Sequence, residues 1–170
     1  VGPEQADEIL KYIRNADYFA VKGMDEQAAL DSGLVKMIGA EVDEEYYKAT
    51  MSLRLNPEVT AAKGGEMKLV YTPLHGSGCV PVKEILKRIG LCNVSVVAEQ
   101  EAPDGSFPTV KAPNPEDPNA FTLAFDLANK VGADLILGTD PDSDRLGAAV
   151  RKDDGRFAVL TGNQIGSILI

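Results

Sequence analysis

Apolar positions along the chain change their period several times, and those changes mark out its elements. Pro3 suits a first helical residue, and Ile9, Leu10 and Ile13 recur on one helical face, predicting an amphipathic helix from Pro3 to about Asn15. Asp25 is placed to cap a second short helix ended by Gly33, and Leu34-Val35-Lys36-Met37-Ile38 reads as a strand. Asp43 is placed to cap a third helix that carries Tyr46, Thr50 and Leu53 and stops at Asn56-Pro57. Thr60 to Glu66, with Gly64-Gly65, reads as a linker.

From there the pattern alternates between short apolar runs and helical periods. Met67 to Tyr71, Val94 to Val97 and Leu135 to Thr139 read as buried strands. Between them lie a helix from about Val80 to Ile89, with Val82, Ile85, Leu86 and Ile89 facing inward, and another opened by Asp117-Pro118 with Phe121, Ala124, Phe125 and Ala128 on its apolar face. The order β-α-β-α-β predicts parallel strands with helices on both faces. Leu146 to Arg151 and Phe157 to Thr161 flank Asp153-Asp154-Gly155, a strong hairpin signal. The expected fold is therefore α/β, a three-layer α/β/α arrangement around a mixed, mostly parallel sheet with an antiparallel edge hairpin.

This topology gives the loops their interest, because ligands of open parallel sheets bind at the carboxyl ends of the strands. Three segments follow strands and are expected on one rim: His75-Gly76-Ser77-Gly78, the polar stretch from Glu99 to Asp117, and Asp140-Pro141-Asp142-Ser143-Asp144-Arg145. The last places three aspartates at alternate positions, with Arg145 beside the third. Aspartates are common in turns, so a lone pair would say little. Three hard oxygen donors in one strand-end loop suit Mg²⁺, which is held by a few carboxylates together with water or phosphate. A calcium EF-hand would need Gly at its sixth position and Glu at its twelfth, where this chain has Arg145 and Arg151.

Composition narrows the partners. A chain of 170 residues with a net charge of −9 and no Lys/Arg cluster lacks the basic face that nucleic acid requires. It also lacks the run of roughly 20 apolar residues that spans a bilayer. Cys79 and Cys92 have no metal-site spacing; two isolated thiols fit a reducing cytoplasm and buried small-residue roles. The chain opens on Val1 and closes on the apolar run Gly166 to Ile170, which reads as a piece of a longer protein.

Other candidate groups are weaker. Gly76 and Gly78 precede a helix N-terminus suited to phosphate, yet they lack both full glycine-rich phosphate-loop patterns and equally serve a tight turn. The same missing fingerprint argues against a dinucleotide-binding domain. His75 is the single histidine, so any His-based proton transfer or phosphate contact would rest on it, although a hydrogen-bonded loop histidine is the commoner case.

Taken together, the motifs resemble the α-D-phosphohexomutases, the phosphoglucomutase and phosphomannomutase superfamily. Thr139 to Arg145 is similar to that family's metal loop, and Thr72-Pro73-Leu74-His75-Gly76-Ser77-Gly78 to the loop opening its second domain. Pro103-Asp104-Gly105-Ser106-Phe107-Pro108 and Pro113-Asn114-Pro115-Glu116 resemble two further family segments in the family's order. Leu160-Thr161-Gly162-Asn163-Gln164 resembles the entry to the third domain in the phosphoglucomutase/phosphopentomutase branch. The resemblance implies that residues 1–42 are the tail of domain one with its linker, 43–160 the metal-binding domain two, and 161–170 a truncated start of domain three.

It further implies a cytoplasmic enzyme that interconverts sugar 1-phosphates with 6- or 5-phosphates through a phosphoserine and a bisphosphate intermediate. Asp140, Asp142 and Asp144 would hold Mg²⁺ and Arg145 would contact phosphate; His75 is a further candidate for phosphate or substrate binding. The partner would be a phosphorylated sugar, bound together with domains outside this chain. The family's Thr-x-Ser-His-Asn-Pro phosphoserine loop and its Gly-Glu-x-Ser-Gly sugar-reading loop are absent here. No catalytic residue is therefore expected in this fragment, and the fragment is expected to be inactive alone. The alternative is a non-catalytic metal- or phosphate-binding module of the same fold.

Overall fold

The computed structural model describes residues 2–20 and 22–170. The chain divides into two compact units, Val1–Asp43 and Glu44–Ile170.

The first unit contains α1 (Pro3–Asn15) and α2 (Glu26–Asp31). Asp25 caps α2 by accepting from the Ala28 amide, and Gly33 follows with φ of 73°, as its position after the helix requires. The apolar face of α1 is exposed at Ile9, Leu10 and Ile13. The strand expected over Leu34 to Ile38 does not form, and Leu34, Val35, Met37 and Ile38 are all exposed. A strand needs a ladder partner to satisfy its backbone, and this segment pairs with none among the described residues.

The helix α3 (Ala40–Met51) begins earlier than expected. Asp43 is not its cap but lies in its first turn, where a carboxylate still favours the positive end of the helix dipole. The buried face carries Tyr47 rather than Tyr46 or Leu53, which are both exposed. Much of the expected linker is also helical: α4 (Pro57–Lys63) starts on a proline whose missing N–H costs nothing there.

The second unit is built on five strands: β1 (Lys68–Thr72), β2 (Asn93–Val96), β3 (Leu135–Thr139), β4 (Leu146–Arg151) and β5 (Phe157–Leu160). Their order is β2-β1-β3-β4-β5. β1 pairs in parallel with β2 and β3, while the β3–β4 and β4–β5 pairs are antiparallel. The antiparallel part therefore begins at β3, in the middle of the sheet, one strand earlier than the Asp153-Asp154-Gly155 turn alone suggests.

Period-two alternation sends neighbouring residues to opposite faces. Leu69 and Tyr71 meet Leu86 of α5 (Cys79–Arg88), with Val82, Ile89, Leu135 and Leu137 packed around them. Val70 and Ile136 meet Phe121, Ala124 and Ala128 on the other side. Those residues belong to a 3₁₀ turn at Pro118–Phe121 and to α7 (Thr122–Val131). The three layers are thus helix, sheet and helix. The polar stretch after β2 opens with a further short helix, α6 (Ala98–Glu101), whose Gln100 is fully buried. α8 (Gly162–Leu169) closes the chain behind a capping box in which Thr161 and Gln164 bond reciprocally. Cys79 is buried, but Cys92 is exposed rather than packed in the interior, because it lies in the turn between α5 and β2.

Candidate metal centre

The acidic loop is the tip of a hairpin. Thr139 pairs with Leu146 across the two strands, so residues 140–145 must reverse the chain direction directly above the last ladder pair. Ser143 takes φ of 60°, and its amide donates to the Asp140 carbonyl at 3.0 Å. Asp140 then gathers the far end of the loop. Its Oδ1 accepts from the Arg145 amide at 3.0 Å and its Oδ2 from Arg145 Nε at 2.7 Å. With its side chain only 1% exposed against 51% for Arg145, Asp140 forms the inner wall of the loop.

Asp140, Asp142 and Asp144 each offer one carboxylate oxygen, and these atoms lie within 4.8 Å of one another. Oxygens around an octahedral Mg²⁺ at about 2.1 Å lie roughly 3 Å apart when adjacent and about 4 Å apart when opposite. The spacing of the cluster is compatible with such a shell, and the side chains of Asp142 and Asp144 are exposed. The donor set is entirely hard oxygen, without thiolate or imidazole, and so fits Mg²⁺.

The electrostatics separate the three carboxylates. Burial pushes Asp140 up, but hydrogen bonds from the Arg145 amide and guanidinium outweigh it and hold the carboxyl below its ordinary value. Asp144 moves the other way, raised first by the charge of Asp142 and then by that of Asp140. A bound cation would remove that repulsion.

Two other loops brace this tip. Ser77 donates twice to the Pro141 carbonyl, from its amide at 2.8 Å and from its hydroxyl at 3.0 Å. The approach is so close that a Cβ on Gly76 would stand 2.6 Å from that same carbonyl oxygen. Glycine is needed at position 76 for space, whatever its backbone angles. Below the tip, the buried Tyr71 hydroxyl and Thr139 Oγ1 share a hydrogen bond of 2.8 Å.

His75 is not among the groups that converge on the acidic cluster. It is buried, with Nδ1 donating to the Ala102 carbonyl at 3.3 Å and Nε2 paired with Thr109 Oγ1 at 2.9 Å. Thr109 also accepts from Gln100 Nε2 at 3.0 Å, and Gln100 Oε1 accepts from Thr72 at 2.6 Å. The histidine thus ties the turn after β1 to the long loop after β2. That loop in turn reaches the acidic tip, where Arg145 Nη1 donates to Asn114 Oδ1 at 3.3 Å. The three strand-end loops therefore meet on one rim.

Sequence reasoning did not single out Ser77, Gln100 or Thr109 for these bracing roles. Asn114 was visible only as part of its Pro-Asn-Pro-Glu segment. Nothing in the local pattern around Gln100 marks it as buried.

A helix-covered mixed sheet with a three-carboxylate loop on its rim defines an α/β domain with a candidate site for a divalent cation. Residues 44–155 match the family model for phosphoglucomutase/phosphomannomutase, alpha/beta/alpha domain II, and the chain belongs to that family. It is 37% identical over 169 residues to a phosphoglucomutase of Staphylococcus saprophyticus, covering 99% of this chain and 30% of the relative. A Staphylococcus epidermidis phosphoglucomutase is 39% identical over 137 residues, which is 81% of this chain and 24% of the relative. The chain therefore spans less than a third of the length of these relatives. A Thermus thermophilus structure, provisionally assigned as a phosphomannomutase, superposes with a TM-score of 0.51 at 22% identity, covering 64% of this chain and 24% of the other, and supports the fold.

Proposed function

We propose that this chain is the metal-binding central domain of a phosphosugar mutase, which moves phosphate between the 1-position of a sugar and its 6- or 5-position. The observation that carries the reading is the convergence of three carboxylate oxygens within 4.8 Å on the rim of a domain of this family. In this reading residues 1–42 end a preceding domain, 43–160 form the metal domain, and 161–170 begin the next.

Phosphoryl transfer demands little covalent chemistry from a protein; positioning and neutralisation of the phosphoryl oxygens carry most of it. Asp140, Asp142 and Asp144 would hold Mg²⁺, which when bound supplies that neutralisation. Arg145 keeps one edge of its guanidinium on Asp140 and directs a fixed, forked cation toward phosphate. His75 supports the rim from beneath, since both its ring nitrogens are engaged within the protein. No serine of this chain stands in the family's phosphoserine context, so the phosphoryl-carrying group is supplied by chain outside residues 1–170.

The test is a Mg²⁺-dependent mutase assay on the full-length parent, with glucose, mannose or ribose 1-phosphate and a bisphosphate primer. Turnover of one of these is expected, and Asp142→Asn should lower it by roughly 100-fold at limiting Mg²⁺. Absence of both turnover and a phosphorylated serine would overturn the reading. Unchanged activity of Asp142→Asn would remove the metal assignment alone.

A further inference from the structure

Arg145 is held by three atoms, and only two of the bonds are made within its own loop. Its amide and Nε bind Asp140, while Nη1 reaches Asn114 in a segment 31 residues earlier. Asp140 alone leaves the guanidinium free to swing about its one anchored edge. The bond to Asn114 fixes the plane of the fork. Among the described residues Nη2 makes no hydrogen bond, and the side chain remains half exposed. The unpaired edge is therefore available to a ligand.

Asn114 is itself rigidly held. Its Oδ1 accepts from the Glu116 amide at 3.0 Å, its carbonyl accepts from the Asp117 amide at 3.0 Å, and its own amide donates to Ala112. The neighbouring Pro115 is fully buried and packs against Gly147, two residues beyond Arg145. Any side chain at position 147 would run into the Pro115 carbonyl oxygen. The Pro113-Asn114-Pro115-Glu116 segment is thus seated on the start of β4, and Asn114 extends from that seat to Arg145.

We propose that Asn114 is a positioning residue for the mutase reaction, one that orients Arg145 so that its open edge at Nη2 faces the transferring phosphate. The inference rests on the function proposed above. Asn114 touches no reacting atom in this scheme; it acts through Arg145. A planar cation that must meet phosphate oxygens in a defined geometry loses effect when it can rotate, because misplacement by even an ångström is costly in rate.

Two measurements test it. In the full-length parent, Asn114→Ala is expected to lower kcat/KM for the turned-over sugar 1-phosphate by about tenfold. In an Arg145→Met background, where no cation is left for Asn114 to orient, the same change is expected to cost nothing further. Asn114→Asp keeps the acceptor oxygen and both bonds to it, so it separates loss of the acceptor from damage to the turn. Equal losses from Asn114→Ala in both backgrounds would show that the residue only supports the fold, and the proposal would fail. The second measurement needs no activity. In ¹⁵N spectra of this chain, the Arg145 guanidinium is expected to show slowed rotation that Asn114→Ala releases. An unchanged Arg145 spectrum would overturn the pairing. An inactive wild-type parent with a released Arg145 signal would instead overturn the mutase reading while leaving the Asn114–Arg145 pairing in place.

Discussion

Asp140 and Asp142 stand two positions apart in one loop and carry different burdens. Asp140 is buried and accepts two hydrogen bonds from Arg145, so truncating it strands a guanidinium and an amide against the loop wall. Asp140→Ala is expected to cost roughly 2–3 kcal/mol, the range for removing one partner of a charge-assisted buried pair, read from urea unfolding of the metal-free chain. Asp142→Asn should leave the same unfolding curve within about 0.5 kcal/mol of wild type, since its carboxylate is exposed and makes no hydrogen bond among the described residues. Equal losses at both positions would remove the division between inner wall and open ligand. Tyr71, beneath the loop, reports on pH. Burial pushes its phenol up to about 12, while an unfolded tyrosine ionises near 10. The folded form thus keeps its proton longer than the unfolded form. Its contribution to stability is full below pH 10 and is lost as pH rises from there through about 12. Absorbance at 295 nm should show a late phenolate component that coincides with alkaline unfolding and is missing from Tyr71→Phe.

At the scale of elements, the helices are held to the sheet by different means. α7 and the turn before it rest on apolar burial of Phe121, Ala124 and Ala128 against Val70 and Ile136, and Arg151 of β4 adds hydrogen bonds to the Ala128 carbonyl at 3.1 Å and to Asn129 Oδ1 at 3.3 Å. α5 also holds the later part of α3 through Arg88, whose guanidinium binds Glu44 at 2.9 and 2.8 Å and Glu84 at 2.7 Å and lies 4.5 Å over the ring of Tyr47. The hydrogen bond from Arg88 holds the Glu44 carboxyl below its ordinary value despite the opposing effect of burial. A lowered carboxylate stabilises above the ordinary carboxylate range and loses that effect as pH falls through its folded value. Arg88→Met is therefore expected to speed amide hydrogen exchange in residues 44–51 at neutral pH while leaving β1 and β3 protected, and acidification should produce the same local loosening in wild type. Uniform protection in the variant would show that Tyr47 burial suffices. The element boundaries were legible where a continuous apolar run met polar breakers, as at Leu135 to Thr139 between Asp134 and Asp140. They were not legible at Leu34 to Ile38. There the residues have strand character, but the ladder partner that makes a strand lies outside any local pattern.

For the whole molecule, the sequence by itself determined the class of fold, the two helical layers and the acidic loop with all three of its carboxylates. These follow from period and composition: alternate residues of a strand must face opposite layers, and three hard donors in six residues are local facts. It also determined the family, because several motifs in a set order are a property of the chain and need no coordinates. What only the tertiary structure decided is how the loop is held. The antiparallel pairing of β3 with β4 makes the acidic segment a hairpin tip, and that depends on which strand β4 chooses as its neighbour. Ser77 reaches Pro141 across 64 positions and Asn114 reaches Arg145 across 31. His75 likewise bonds Ala102 and Thr109, 27 and 34 positions further along the chain. Hydrogen bonds of that kind have no local signature. They exist because parallel strands deliver the ends of distant segments to one rim, where each backbone and side-chain polar group left dry must find a partner.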